Sequence, residues 1–251
     1  MALYGVDKGW AMTERGRGDL HRNAAELRIG PSGLRWDGDS LIIDIDEVGA
    51  PIPRRIRGRV QVHPKAITSH PVQLDGHGRH RWWPIAPDAR VEVALERPGL
   101  RWSGDGYLDT NDGDEPLAAG FRRWDWSRAR LGNGSAVLYD ATRRNGERVP
   151  LALRFDGKGG AEPFSPPPRV ELPTTRWWRI RRGTQTERDG LAHVVETLED
   201  TPFYARSNVA GRLLGENILA FHESLDLDRF DSRWVEVLLP FRMPRRARQT
   251  P

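Results

Sequence analysis

Apolar residues in this chain recur at every second position, and that alternation confines it to folds built from strands. Ile56, Gly58, Val60 and Val62 alternate with Arg55, Arg57, Arg59 and Gln61. Val91, Val93 and Leu95 alternate with Glu92, Ala94 and Glu96, and Leu151, Leu153 and Phe155 with Ala152 and Arg154. Successive strand side chains point to opposite faces, so each run predicts a strand with one wet face. Further strands are expected at 41–48, 136–140, 177–181, 192–198, 203–209, 218–224 and 234–239. Asp37-Gly38, Asn133-Gly134, Asn145-Gly146, Asp156-Gly157 and Asp189-Gly190 supply turns between them. No long helical pattern competes; residues 208–214 offer at most a short helical turn. Many short strands with frequent turns predict an all-β chain of antiparallel barrels or sandwiches.

The 251 residues allow one large domain or two ordinary ones. An acidic, Gly-containing loop followed by new hairpins from Trp124 places the expected boundary at about residue 120, giving domains 1–120 and 121–251. Pro163 to Pro168 reads as a stiff loop inside the second half. With no cysteine, disulfide frameworks, thiol nucleophiles and Cys-zinc sites are all excluded. No apolar run approaches the roughly 20 residues of a spanning helix, and no secretory signal opens the chain. The net charge of +4 comes from 39 basic residues interleaved with 35 acidic ones, which argues for solvated surface over a nucleic-acid groove. The basic tail holding Arg245, Arg246 and Arg248 could touch anionic lipid heads, although a frayed terminus is the plainer reading. Ten tryptophans are many for this length, and each fills a core or lines an apolar site. As strand neighbours, Trp82-Trp83 and Trp177-Trp178 are each expected to place one ring inside and one outside.

Several long runs carry a family resemblance. They are Arg81-Trp82-Trp83-Pro84-Ile85-Ala86-Pro87, the segment from Gly106-Tyr107-Leu108-Asp109 to Glu115-Pro116-Leu117, and Gly120-Phe121-Arg122-Arg123-Trp124-Asp125-Trp126-Ser127-Arg128. Further on come Thr197-Leu198-Glu199-Asp200-Thr201-Pro202-Phe203-Tyr204-Ala205-Arg206, His222-Glu223-Ser224-Leu225 and Leu239-Pro240-Phe241-Arg242-Met243-Pro244. In order and across essentially the whole chain, these resemble the carotenoid 1,2-hydratases, also called hydroxyneurosporene synthases. The resemblance implies two lipocalin-like antiparallel β-barrel domains. It also implies hydration of the terminal C1–C2 double bond of an acyclic carotene of the lycopene or neurosporene type. The partners implied are the carotene, water and a membrane surface touched peripherally from the cytoplasm. Family members usually carry another apolar segment before the part matching Ala2-Leu3-Tyr4-Gly5, so an imperfectly closed first barrel is expected.

That reaction needs a strong acid to protonate C2, an aromatic wall for the tertiary cation at C1, and a polar group to position water and accept its proton. A carboxyl kept neutral by apolar surroundings suits the first role, and no cofactor or metal is required. Asp109 is the first candidate acid. Tyr107 shares its strand face, Trp102, Trp124 and Trp126 are candidate wall residues, and Asp112, Asp114 and Glu115 are candidate partner carboxylates. The same acidic run also reads as a solvated turn. It fails as a calcium loop, with Gly113 and Gly120 where ligands are wanted. His222 and Glu223 form a second candidate pair whose side chains point to opposite faces; Tyr204 and Arg206 share a face and suit holding a carboxylate or the substrate. Asp200 reads as a structural turn residue, and His63, His70, His77 and His80 as loop histidines. A non-catalytic polyene carrier, or a polyene isomerase or cyclase on the same scaffold, remain alternatives.

Overall fold

A computed structural model describes residues 1–69, 71–188 and 191–246. The Asp189-Gly190 turn, His70 and Arg248 lie outside the described residues. Two large antiparallel sheets carry the fold, as the alternation demands. The first has eight strands. Its path runs from Leu100–Gly113 through His80–Arg97, Arg55–Pro64, Leu41–Val48, Ser32–Trp36 and Glu26–Ile29 to Leu20–Arg22, with Val72–Gln73 paired to His80–Arg97. Among the described residues no pairing joins the two ends of that path. The second has seven strands, in the order Ala161–Pro163, Arg148–Phe155, Ser135–Arg143, Phe121–Arg130, Glu216–Asp226, Tyr204–Leu213 and His193–Asp200. In sequence the first sheet ends at Gly113 and the second begins at Phe121, with the short helix Leu117–Gly120 between.

By compactness the chain forms two units: residues 1–65, 89–107 and 236–251, and residues 66–88 and 108–235. In the first, registers align Ile43 with Val60 and Val60 with Val93, so the alternating apolar positions meet on one face. They build a core of Ala11, Ile45, Ile56, Val93 and Leu95. In the second, Ala129, Ala136, Leu138, Ala152, Leu213 and Ala220 form a core on one face of the sheet, mostly small residues closed over by Phe164, Leu214 and Ile218.

Three local expectations differ from the structure. Residues 234–239 are helical, within Arg233–Arg242, because a short apolar run fits either period and here Val235 alone is buried. Residues 177–181 are not a strand but the tip of a hairpin, so Trp177 and Trp178 both face out, 75% and 38% exposed. Residues 208–214 hold no helical turn; the Tyr204–Leu213 strand runs through them to a turn at Leu214-Gly215. By contrast Trp82-Trp83 does lie in a strand, with Trp82 fully buried and Trp83 donating its indole N–H to the Thr68 carbonyl at 2.9 Å.

The turn at Asn133-Gly134 shows how strictly some positions are set. Gly134 has φ of +86°, and a Cβ there would lie 1.9 Å from the Phe155 carbonyl oxygen. Gly134→Ala is therefore expected to destabilise the fold by at least about 2 kcal/mol, through left-handed strain plus a backbone clash. Urea unfolding checks this as a lowered midpoint at unchanged slope.

Candidate active site

Three strand registers assemble the site. Tyr139 pairs with Trp126, Trp126 with Glu223, and Glu223 with Arg206, so these four side chains form one row across four neighbouring strands. Directly paired residues share a face, so the next row on that face is Ala141, Trp124, Leu225 and Tyr204. Trp82 packs onto it from the His80–Arg97 strand, its ring 5.6 Å from that of Tyr139, while Trp124 lies 5.8 Å from Tyr139 on an edge-to-face approach. The indole N–H of Trp82 donates to Asp109 Oδ2 at 2.8 Å. Arg206 donates to Glu223 Oε1 from Nη2 at 2.6 Å and from Nε at 3.0 Å, and its guanidinium lies over the rings of Phe221 and Tyr204 at 5.1 and 5.4 Å. Stacking and charge thus fix Arg206, and Arg206 fixes Glu223.

Tyr139 lies in the field of both carboxylates. It is 3% exposed, and burial, then the charges of Asp109 and Glu223, hold its phenol far above the ordinary tyrosine range. It is a neutral hydroxyl on which two carboxylates act from within an aromatic box.

Three further acidic candidates are each held by basic groups. Asp112 accepts from Arg81 Nε at 2.6 Å, Asp114 is 3.5 Å from Arg81 Nη2, and both are more than half exposed. Glu115 pairs with Arg79 at 2.7 Å and His80 at 3.2 Å. Trp102 and Tyr107 belong to the first unit, where Trp102 is 51% exposed. Asp200 accepts the backbone N–H of Trp177 at 2.7 Å.

His222 points to the opposite face from Glu223, into a buried polar network. Its Nε2 donates to the Gly183 carbonyl at 2.8 Å, which leaves Nδ1 buried without a hydrogen-bond partner. Beside it Asp125 accepts from Ser224 at 2.5 Å and from Gly183 N–H at 3.3 Å, and pairs with Arg169 at 2.9 Å. Arg169 also reaches Asp140 at 2.7 Å. Sequence reading missed Tyr139 and Trp82 as site residues. Tyr139 sits in an expected strand, but only the register shows that it lies two strands from Glu223. Among the described residues no group of three or more His, Asp and Glu side chains converges as metal ligands would.

An antiparallel all-β protein with two carboxylates and a neutral phenol set in an aromatic wall defines a class of site suited to acid–base work on an apolar substrate. Residues 1–251 match the family model described as carotenoid hydratase CrtC, and the chain belongs to that family, as the sequence resemblance implied. It is 58% identical over 98% of its length to the acyclic carotenoid 1,2-hydratase of Thiocapsa roseopersicina, and 54% identical over 98% of its length to that of Rubrivivax gelatinosus. It spans 61% of the length of each of these relatives. Among solved structures, an AttH from Nitrosomonas europaea shares the fold, with a TM-score of 0.56 and 14% identity, covering 84% of this chain and 72% of that one.

The His222 geometry yields a pH signature. Burial lowers the imidazole pKa, with the Asp125 charge opposing in part, so the folded state disfavours the charged form. The unfolded chain then binds the extra proton, and stability present at neutral pH is lost as pH falls below about 6.5. His222→Asn is expected to flatten that dependence, by up to about 1.4 kcal/mol per pH unit in the titrating window. Denaturation of both proteins from pH 7.5 to 5 checks it, and parallel curves would refute it.

Proposed function

We propose that this chain carries the hydration chemistry of an acyclic carotene, adding water across a terminal trisubstituted double bond. The observation that carries the reading is the placement of Asp109 and Glu223 about one neutral phenol within a wall of Trp82, Trp124 and Trp126. Asp109, in its protonated form, donates a proton to C2, and a tertiary cation forms at C1 against the indole and phenol faces. Water adds at C1 and passes a proton to Glu223, which Arg206 holds in place. The Tyr139 hydroxyl returns a proton to Asp109 while accepting one from Glu223, so the phenol ends as it began. Trp82 N–H steadies the Asp109 carboxylate left after donation. A purely apolar carrier has no use for these charges in its wall, which favours catalysis over carriage.

The substrate is too apolar to travel through water, so the protein collects it at a bilayer surface. No helix among the described residues is long and apolar enough to cross one.

Asp109→Asn keeps size but cannot donate a proton to an alkene. Hydration of lycopene or neurosporene in detergent, followed as a mass gain of one water, is expected to fall by at least about 100-fold. Asp112→Asn, on an exposed ion pair, is expected to retain activity. Near-normal hydration by Asp109→Asn would remove it from the acid role.

For Glu223 the expected result is similar in sign and different in cause. Glu223→Gln loses the proton acceptor and is expected to cost about 100-fold, while polyene binding, read by the shift of its absorption band, survives because the aromatic wall is intact. Loss of binding in step with activity would make Glu223 a structural group instead.

A further inference from the structure

We propose that the hairpin tip at residues 175–180 is a docking surface for an anionic lipid bilayer. The Arg169–Leu172 and Arg182–Gln185 strands pair antiparallel, with Leu172 opposite Arg182, and the chain between them forms the tip. Its base is closed. Thr175 and Ile180 are buried, Thr175 N–H donates to the Ile180 carbonyl at 3.0 Å, and Ile180 N–H donates to Thr175 Oγ1 at 2.9 Å. Between them Arg176, Trp177, Trp178 and Arg179 all face outward. The Asp200 carboxylate accepts the Trp177 N–H at 2.7 Å, and Arg229 donates to the Trp178 carbonyl at 2.6 Å. The backbone is therefore tied at both tryptophans, and the indoles are held in water by the fold rather than by mobility.

Exposing them costs free energy that an isolated protein has no reason to spend. The surface continues through Trp234, 46% exposed and stacked on Trp178 at 5.9 Å, and Phe230, 39% exposed. Its charge is of one sign within the tip: Arg176 lies over the Trp177 ring at 5.2 Å, Arg179 and Arg181 follow, all exposed, and no acidic residue lies between 174 and 182. Indoles with an apolar body and a polar N–H settle at the headgroup level, and neighbouring guanidinium groups are drawn to anionic lipid. A protein-binding hot spot would set such rings in a pocket with the charges at its rim; here charge and ring are interleaved on a protruding turn. The proposal gives a place to the bilayer contact in the hydratase reading, yet it rests on the tip alone.

The test is co-sedimentation of the full chain with vesicles of phosphatidylcholine and phosphatidylglycerol in equal amounts, against phosphatidylcholine alone. The wild type is expected to bind the mixed vesicles and to release with salt. Trp177→Ala, at the most exposed ring of the tip, is expected to lower partitioning about tenfold. Arg176→Gln, Arg179→Gln and Arg181→Gln together are expected to lower it about a hundredfold and to remove most of the salt dependence. Thermal melting confirms that both variants fold. Wild-type binding by both variants, or no binding by the wild type, overturns the proposal. So does loss of binding on neutralising Arg245, Arg246 and Arg248 alone, which would assign the contact to the tail. A Trp177-dependent dimer in sedimentation velocity, with no vesicle binding, would assign the face to a second copy of the chain. No carotene enters the measurement, so inactivity as a hydratase would leave this result standing, and the reverse.

Discussion

The Phe121–Arg130 strand has to be filled on both sides. It lies between Ser135–Arg143 and Glu216–Asp226, with Asp125, Ser127 and Ala129 buried on one face and Trp126 on the other. Strand parity gives it two environments one residue apart. The Asp125 side takes polar groups that satisfy one another: Arg169, Ser224 and the Gly183 N–H converge on one carboxylate. Gly183 is part of that solution, because a Cβ there would lie 1.9 Å from Arg169 Nη2. The Trp126 side takes aromatic rings, with Glu223 in register beside it. A slip of one residue in either pairing would put Asp125 among the rings and Trp126 in the ionic network, so the register of this strand is held from both faces.

That constraint also explains how the site keeps charge in an aromatic wall. A buried ion pair loses solvation that its attraction repays only with good geometry and further hydrogen bonds. Arg206 meets Glu223 at two nitrogens and lies over two rings, and both partners keep about a quarter of their side-chain surface open. Glu223 therefore remains reachable by water while facing Trp126. On the opposite face Asp125 and Asp140, each 5% exposed, share Arg169, and burial opposes its charge while the carboxylates raise the guanidinium pKa above its ordinary value. The sealed network suits holding the sheet; the half-open one suits chemistry.

Much of this was legible in the alternation. The strands at 41–48, 192–198, 203–209 and 218–224 follow from period two and turn residues, and the family from runs such as Arg81-Trp82-Trp83-Pro84 and Gly120-Phe121-Arg122-Arg123-Trp124-Asp125-Trp126. What parity cannot give is register across strands distant in sequence. Tyr139 and Glu223 are separated by more than eighty residues and meet only because Trp126 pairs with both. Nor does parity distinguish a strand from a tied turn. Trp177-Trp178 looks like strand sequence, and it is Asp200, from another hairpin, that bends it by accepting its amides. The acidic run after Asp109 divides for a similar reason: Arg81 draws Asp112 and Asp114 to the surface, while Trp82, one residue on and facing the other way, takes Asp109.

The last two residues show why the phenol matters. Arg81 and Trp82 are strand neighbours, so the run they serve is sorted into a wet carboxylate pair and a single carboxylate facing rings. A lone acid against indoles can donate a proton but has no partner to restore it once water has attacked elsewhere. In the hydration proposed above Tyr139 fills that gap, because burial and the charges of the two carboxylates drive its pKa up rather than down. A phenol that ionised readily would become a third negative charge between Asp109 and Glu223 and would raise the barrier to proton return. One kept neutral by burial and by those same carboxylates can accept a proton on one side while giving one on the other, with no net charge appearing in the wall. In the proposed hydration, burial and the two carboxylates thus keep the phenol in the form that can both give and accept a proton.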